Sequence, residues 1–352
     1  MGVWSSGGAS DGYFENWNNF GVGGGGYVGP VMCGYDRAKM LAGDPSAEQI
    51  CFQLSNNPGN NGFYQDSLLP ADRDSPTAPP ATEDEFFIGS IGDCLGAGCP
   101  ADPNSVLSLY SMHINNWSTG SASMTGNGDT QLLNIATFTP SCNGNYGGAC
   151  VPQQGVTDKL DSLGDRLMYR FAYWEDRPQA NATATPPIPA PVQHLYVDWD
   201  VWNAGTSAMG VRWMELHASL HTVPVTSFFV YQQGTYVGTT GDSNWRWMGS
   251  LTRDNVQNTL VGYSESSANI HPSIAVAGRA FTDTLGTLGP ETFSVNGTGS
   301  QTDTSNRWGD YSTMGIDPSD NCTFFYTQEY YMSTGTFAWS TDISSWKFPS
   351  CH

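Results

Sequence analysis

Four carboxylates are the residues best placed by type and spacing to do chemistry. Asp310 lies in Arg307-Trp308-Gly309-Asp310-Tyr311, and Asp254, Glu265 and Glu329 fall in neighbouring strand-like segments. Paired carboxylates a few ångströms apart can hydrolyse a glycosidic bond, one as acid and one as base or nucleophile. The competing assignment is local. Asp310 then pairs with Arg307 or caps a turn, and Asp254 and Asp317 are turn residues, since Asp side chains bond their own backbone two residues on. Both assignments stay open, because a sequence does not say which side chains converge.

Other reactive patterns are weaker. His217 and His221 have the i,i+4 spacing that binds zinc on a helix, but Pro224 and the surrounding β pattern argue against a helix. Ser250 lacks the Gly-x-Ser-x-Gly elbow of a serine hydrolase. The glycine run at 21–26 is not followed by Lys-Ser/Thr, so it is no phosphate loop. No metal site is therefore assigned. Structural calcium has no supporting motif, since Glu83-Asp84-Glu85 is a short acidic run without EF-hand spacing. No cofactor is implied. Tyr, Trp and Phe are abundant and can stack on sugar rings, although core packing is their ordinary use.

The elements that must position these residues repeat. Arg246-Trp247-Met248-Gly249-Ser250 leads to Asp254 and a β-rich stretch ending at Tyr263. About sixty residues later, Arg307-Trp308-Gly309-Asp310-Tyr311 leads to Asp317 and Phe324-Phe325-Tyr326. Short strands at this period predict the blades of a β-propeller, each a small sheet that needs neighbours to bury its faces. Blade-sized units of four antiparallel strands are predicted at residues 2–54, 85–138, 165–237, 245–299 and 307–348, within one propeller domain spanning 1–352. The stretches 69–82 and 139–155 read as Pro-, Asn- and Gly-rich surface linkers, and the Pro-rich stretch 185–191 as a loop. The last unit shows three strands where the third and fourth units show four. The fourth is expected from residues near the N-terminus, from an N-terminal part absent here, or from another molecule.

Composition agrees with an all-β domain. The 41 glycines and 21 prolines favour turns, while 39% hydrophobic and 12% aromatic residues support a packed core over disorder. A formal net charge of −20 argues against nucleic-acid or anionic-lipid binding through a basic face. No apolar stretch is long enough to span a membrane. Eight cysteines at 33, 51, 94, 99, 142, 150, 322 and 351, with no CxxC pair, suggest disulfides and an oxidising, extracellular compartment. Pairing of neighbours is the simplest expectation: Cys33–Cys51, Cys94–Cys99, Cys142–Cys150 and Cys322–Cys351. Glycosylation sequons occur at Asn116, Asn181, Asn296 and Asn321. No signal peptide precedes Gly2-Val3-Trp4, which leads us to expect a start inside a longer precursor.

Several of these segments resemble a family of secreted, largely uncharacterised bacterial β-propeller proteins. They are the run from Lys159 to Arg170, Tyr231-Gln232-Gln233-Gly234-Thr235-Tyr236, Arg246-Trp247-Met248-Gly249-Ser250, the run from Arg307 through Asp317-Pro318-Ser319-Asp320-Asn321-Cys322 to Phe324, and Phe348-Pro349-Ser350-Cys351. The resemblance implies a propeller fold and secretion. It implies two further N-terminal blades that this chain lacks, and it assigns no catalytic residue. The combined expectation is an extracellular structural or binding propeller without catalysis, self-assembling as a homo-oligomer or filament, or attaching to glycans. The alternative is a glycan hydrolase working through channel carboxylates.

Overall fold

The computed structural model describes residues 1–23, 25–54, 67–91, 102–125, 131–145, 147–176, 192–218, 224–225, 227–239 and 242–352. The fold is all-β, with helix confined to short segments such as α1 (Arg37–Ala42). The chain opens with a four-stranded antiparallel meander of β1 (Gly2–Trp4), β2 (Gly12–Phe20), β3 (Tyr27–Asp36) and β4 (Gln49–Gln53), paired in sequence order. Next come β5 (Leu68–Arg73), β6 (Glu85–Ser90), β7 (Val106–Asn116), β8 (Ser121–Thr125) and β9 (Gln131–Asn134). Short pieces follow: β10 (Thr139–Pro140), β11 (Ala149–Val151) and β12 (Leu160–Asp161). Four long strands, β13 (Leu167–Asp176), β14 (Val192–Asn203), β15 (Ala208–Ala218) and β16 (Phe228–Tyr236), are neighbours in that order. A second four-stranded meander is β17 (Trp245–Arg253), β18 (Thr259–Ser267), β19 (Ile270–Arg279) and β20 (Thr292–Val295). The last sheet has three strands, β21 (Thr313–Ile316), β22 (Thr323–Tyr331) and β23 (Trp339–Lys347). Among the described residues no sheet closes on itself.

One predicted linker is a strand. Residues 68–73 form β5, which pairs antiparallel with β6 and in parallel with β13, Phe171 facing Ala71. Leu68, Pro70 and Ala71 are buried there, so apolar content outweighed the Pro-rich composition downstream. The stretches 85–138 and 165–237 are thereby joined into one ten-stranded sheet. The predicted linker 139–155 holds only the short β10 and β11 and one helical turn. The Pro-rich stretch 185–191 lies outside the described residues.

The chain divides into two compact units, with boundaries inside β13, β14, β15 and β16. Unit 1 comprises 1–137, 171–195 and 215–231, and unit 2 comprises 138–170, 196–214 and 232–352. Unit 1 centres on an aromatic cluster. Trp4 meets Tyr173 at 4.7 Å and Phe86 at 5.9 Å, and Phe86 meets Phe228 at 5.1 Å, all edge-to-face, the arrangement ring quadrupoles prefer.

In unit 2, β17, β18 and β19 are buried on both faces almost throughout. One core gathers Val151, Leu160, Met209, Trp247, Met248, Trp308 and Tyr331, and another Leu260, Ile274, Val276, Met314, Phe324 and Tyr326. Gly262 permits the close approach of β18 to β22, since a Cβ there would stand 2.6 Å from the Tyr326 ring. The edge strand β23 alternates exposed and half-buried residues along its length, as an edge strand with one packed face should.

Three disulfides are formed, Cys33–Cys51, Cys142–Cys150 and Cys322–Cys351. Cys94 and Cys99 lie outside the described residues. Among the described residues no helix is long and apolar enough to cross a membrane.

Candidate functional site

The two copies of the Arg-Trp repeat fold differently, and that difference creates the site. Arg246 and Trp247 lie inside β17, whereas Arg307 to Tyr311 precede β21 in an irregular segment. Asp310 is therefore in a turn and not on a strand. It is ion-paired with Arg307, three residues back, and the Arg307 side chain is more than half exposed. Trp308 turns inward, 2% exposed, and donates from Nε1 to Ser264 Oγ at 3.0 Å. Its ring lies 5.7 Å from Trp247 and stacks on Tyr331 at 5.8 Å. The two tryptophans thus meet each other in one core.

Trp308 forms part of the wall of an open cavity of about 430 Å³ in unit 2, shared with Asp303, Arg307, Gly309, Asp310, Tyr311, Glu329, Phe337 and Trp339. The strand period builds one side of it. Glu329 and Tyr331 are two apart on β22, and Trp339 is the cross-strand partner of Tyr331, so the three share a face. Phe337 comes from the turn between β22 and β23 and meets Trp339 edge-to-face at 6.3 Å. Three aromatic rings of this cavity are open to solvent: Tyr311 at 82%, Phe337 at 65% and Trp339 at 52% exposure.

The carboxylates in the cavity differ in environment. Burial raises the Glu329 carboxyl above its ordinary value, opposed by a hydrogen bond from the Gly309 backbone. Gly309 can sit there because it lacks a side chain: a Cβ would stand 3.0 Å from Glu329 Cγ. Asp310 faces the Arg307 cation. Asp303 is engaged locally, accepting from Ser305 N and Oγ, both at 2.9 Å. A carboxyl raised by burial and an ion-paired one in the same cavity offer different hydrogen-bonding character toward hydroxyl groups. The same contrast is what separates acid from base in a glycosidase.

The other two sequence candidates are elsewhere. Asp254 closes the turn between β17 and β18, accepting from Val256 N at 3.0 Å and from Asn258 N and Nδ2 at 2.9 and 2.7 Å. Asp317 occupies the matching turn between β21 and β22, accepting from Ser319 N at 2.8 Å. Glu265 belongs to a buried charge cluster around Arg246. That guanidinium makes two bonds to Glu291 (2.8 and 2.6 Å), two to Asp242 (3.0 and 3.1 Å) and one to Glu265 (3.2 Å). Burial, with the Glu291 charge adding, pushes Glu265 up to about 8 despite Arg246. Asp242, Glu265 and Glu291 are close enough together to hold a metal ion, but the Arg246 cation already occupies their centre.

Ser250 is buried and its Oγ accepts from Met314 N at 2.9 Å, a structural bond. Asn116 and Asn296 are exposed and Asn321 is partly buried, while Asn181 lies outside the described residues. His217 is on β15, so no helix places it with His221, which is also outside the described residues. The sequence reading did not single out Asp303, Phe337 or Trp339. The available signal was a pair of aromatics, Phe337 and Trp339, closely following Gly335.

No family model matches the chain, and no curated protein matches it. A solved structure of a BT0996 RGII complex is similar at 10% identity, covering 100% of this chain and 91% of its counterpart, with a TM-score of 0.36. A similarity at that level carries no argument about function.

Proposed function

We propose that this chain is a secreted β-propeller that binds carbohydrate without catalysis, through the aromatic-rimmed cavity of unit 2. The carrying observation is the exposure of Tyr311, Phe337 and Trp339 around the carboxylates of Asp310 and Glu329. Solvent-exposed rings offer flat apolar faces for sugar stacking, and the carboxylates offer acceptors for hydroxyl groups. The propeller reading draws on runs of strands that pair in chain order, β1 to β4, β5 to β8, β13 to β16, β17 to β20 and β21 to β23, although β5 to β8 and β13 to β16 share one sheet. Secretion draws on the three disulfides, which persist in oxidising compartments. Assembly into a homo-oligomer through strand addition at β23, the edge of its sheet, belongs to the same reading.

Titration calorimetry against a panel of neutral and acidic oligosaccharides tests this. A ligand bound by the native chain should lose at least about tenfold in affinity with Trp339→Ala, a stacking contact of roughly 1.4 kcal/mol. Equal binding by native and variant protein would refute the site. The raised Glu329 beside the ion-paired Asp310 favours one second reading, a glycan hydrolase. Release of reducing ends that disappears in Glu329→Gln would establish it over the first.

A further inference from the structure

Unit 1 holds a second cluster of chemistry-bearing side chains, unrelated to the cavity. The strands β13 to β16 are neighbours in chain order. Side-chain contacts bring together the end of β13, the start of β14, the end of β15 and the start of β16. Asp176 is the last residue of β13, His194 the third of β14, Glu215 and His217 are near the end of β15, and Tyr231 is near the start of β16. The i,i+2 spacing of Glu215 and His217 puts both on one face of their strand.

The donor atoms stand at hydrogen-bonding distances, somewhat closer than the ligand atoms of an occupied site. Glu215 Oε1 lies 3.1 Å from His194 Nδ1 and 2.7 Å from His217 Nε2. Ligand atoms around a tetrahedral ion with metal bonds of about 2.0–2.2 Å are separated by roughly 3.3 Å. The three groups converge within 4.8 Å of one another. His194 is 3% exposed, and its far nitrogen Nε2 stands 3.1 Å from Asp176 Oδ2 without hydrogen-bond alignment. The His217 ring is stacked on Tyr231 at 3.9 Å and 8°, which holds its plane. His217 is also the most exposed of the three, at 15%, so the cluster opens to solvent on its side.

We propose that His194 Nδ1, His217 Nε2 and Glu215 Oε1 bind a divalent transition-metal ion of the zinc class, with a fourth position open to water. Two imidazoles and a carboxylate are borderline nitrogen and oxygen donors, which zinc and its neighbours favour over calcium or magnesium. Hydrogen bonding alone would require a single Glu215 oxygen to receive protons from both rings. Bound metal instead uses the lone pairs of neutral imidazoles. His194 Nε2 then carries the proton, and Asp176 Oδ2, 3.1 Å away, becomes its acceptor once the ring turns into alignment, as the outer carboxylate that orients a ligating histidine. Asp176 is thus a positioning residue.

The test is titration of the full chain, stripped with chelator, with cobalt(II) by visible absorption and with zinc(II) by calorimetry. The native protein should take up one equivalent, with cobalt bands of a four- or five-coordinate nitrogen and oxygen site. His217→Ala should weaken binding at least about 100-fold, and Asp176→Asn about 10- to 100-fold. Failure of the native protein to bind stoichiometrically overturns the proposal. So does unchanged affinity in folded His217→Ala. Should His217→Ala not fold, Asp176→Asn at its partly exposed position decides in its place: unchanged affinity and unchanged cobalt bands overturn the assignment, and weakened binding upholds it.

Discussion

Trp308 ties the core of unit 2 to the cavity, and its replacement has a magnitude set by its contacts. The side chain is 2% exposed, packed against Trp247 and Tyr331, with Nε1 bonded to Ser264 Oγ. Truncation of a buried Trp to Ala costs about 3–5 kcal/mol, the transfer of the ring plus the cavity it leaves. Trp308→Phe keeps much of the packing and loses the Nε1 bond, at roughly 1–2 kcal/mol. The Trp247 contact adds a coupling of about 0.5–1.5 kcal/mol, which a double-mutant cycle with Trp247 isolates. Urea unfolding followed by far-UV circular dichroism measures all three. A Trp308→Ala variant that loses less than about 1 kcal/mol with an unchanged m-value would show that the inward orientation is misassigned. The ring would then belong to the ligand-facing rim.

Other expectations are shorter to state. Arg246→Met leaves Glu265, Glu291 and Asp242 without their counter-charge and should destabilise by about 3–5 kcal/mol, read from the urea midpoint. Burial, with the Asp200 charge adding, raises the Asp198 carboxyl well above its ordinary 3.8, and among the described residues neither of its oxygens has a hydrogen-bond partner. The folded state therefore retains a proton that the unfolded chain releases. This contribution to stability is complete below 3.8 and is lost as pH rises through the raised folded value. Asp198→Asn should flatten the fall in melting temperature toward alkaline pH, and an unchanged slope would refute the assignment. Opening the Cys322–Cys351 bond, with a sequence separation of 29, should cost roughly 3–4 kcal/mol in the chain-entropy picture, measured on the double Ser variant.

Much of the strand pattern was legible because its cause is local. The β-rich stretch expected to end at Tyr263 is β18, which runs only a few residues further, to Ser267. Elsewhere a local signal misled. Arg307-Trp308 reads like Arg246-Trp247, yet only the pair at 246–247 lies in a strand. The i,i+4 histidine spacing was set aside because the β pattern argued against a helix, and His217 does lie on β15, where the pairing that formed is the strand's i,i+2, between Glu215 and His217.

The sequence by itself determined the all-β class of the fold and disulfides between cysteines close in the chain. Each depends on side chains and backbone within a few tens of residues. Only the tertiary structure decided where the charges went. Glu265 was drawn to the buried Arg246, while Glu329 came to share a face with Trp339. His194, from another strand, came to meet Glu215 and His217. Alternation along a strand fixes which residues share a face. What that face meets is set by sheet order and register, which depend on contacts far apart in sequence.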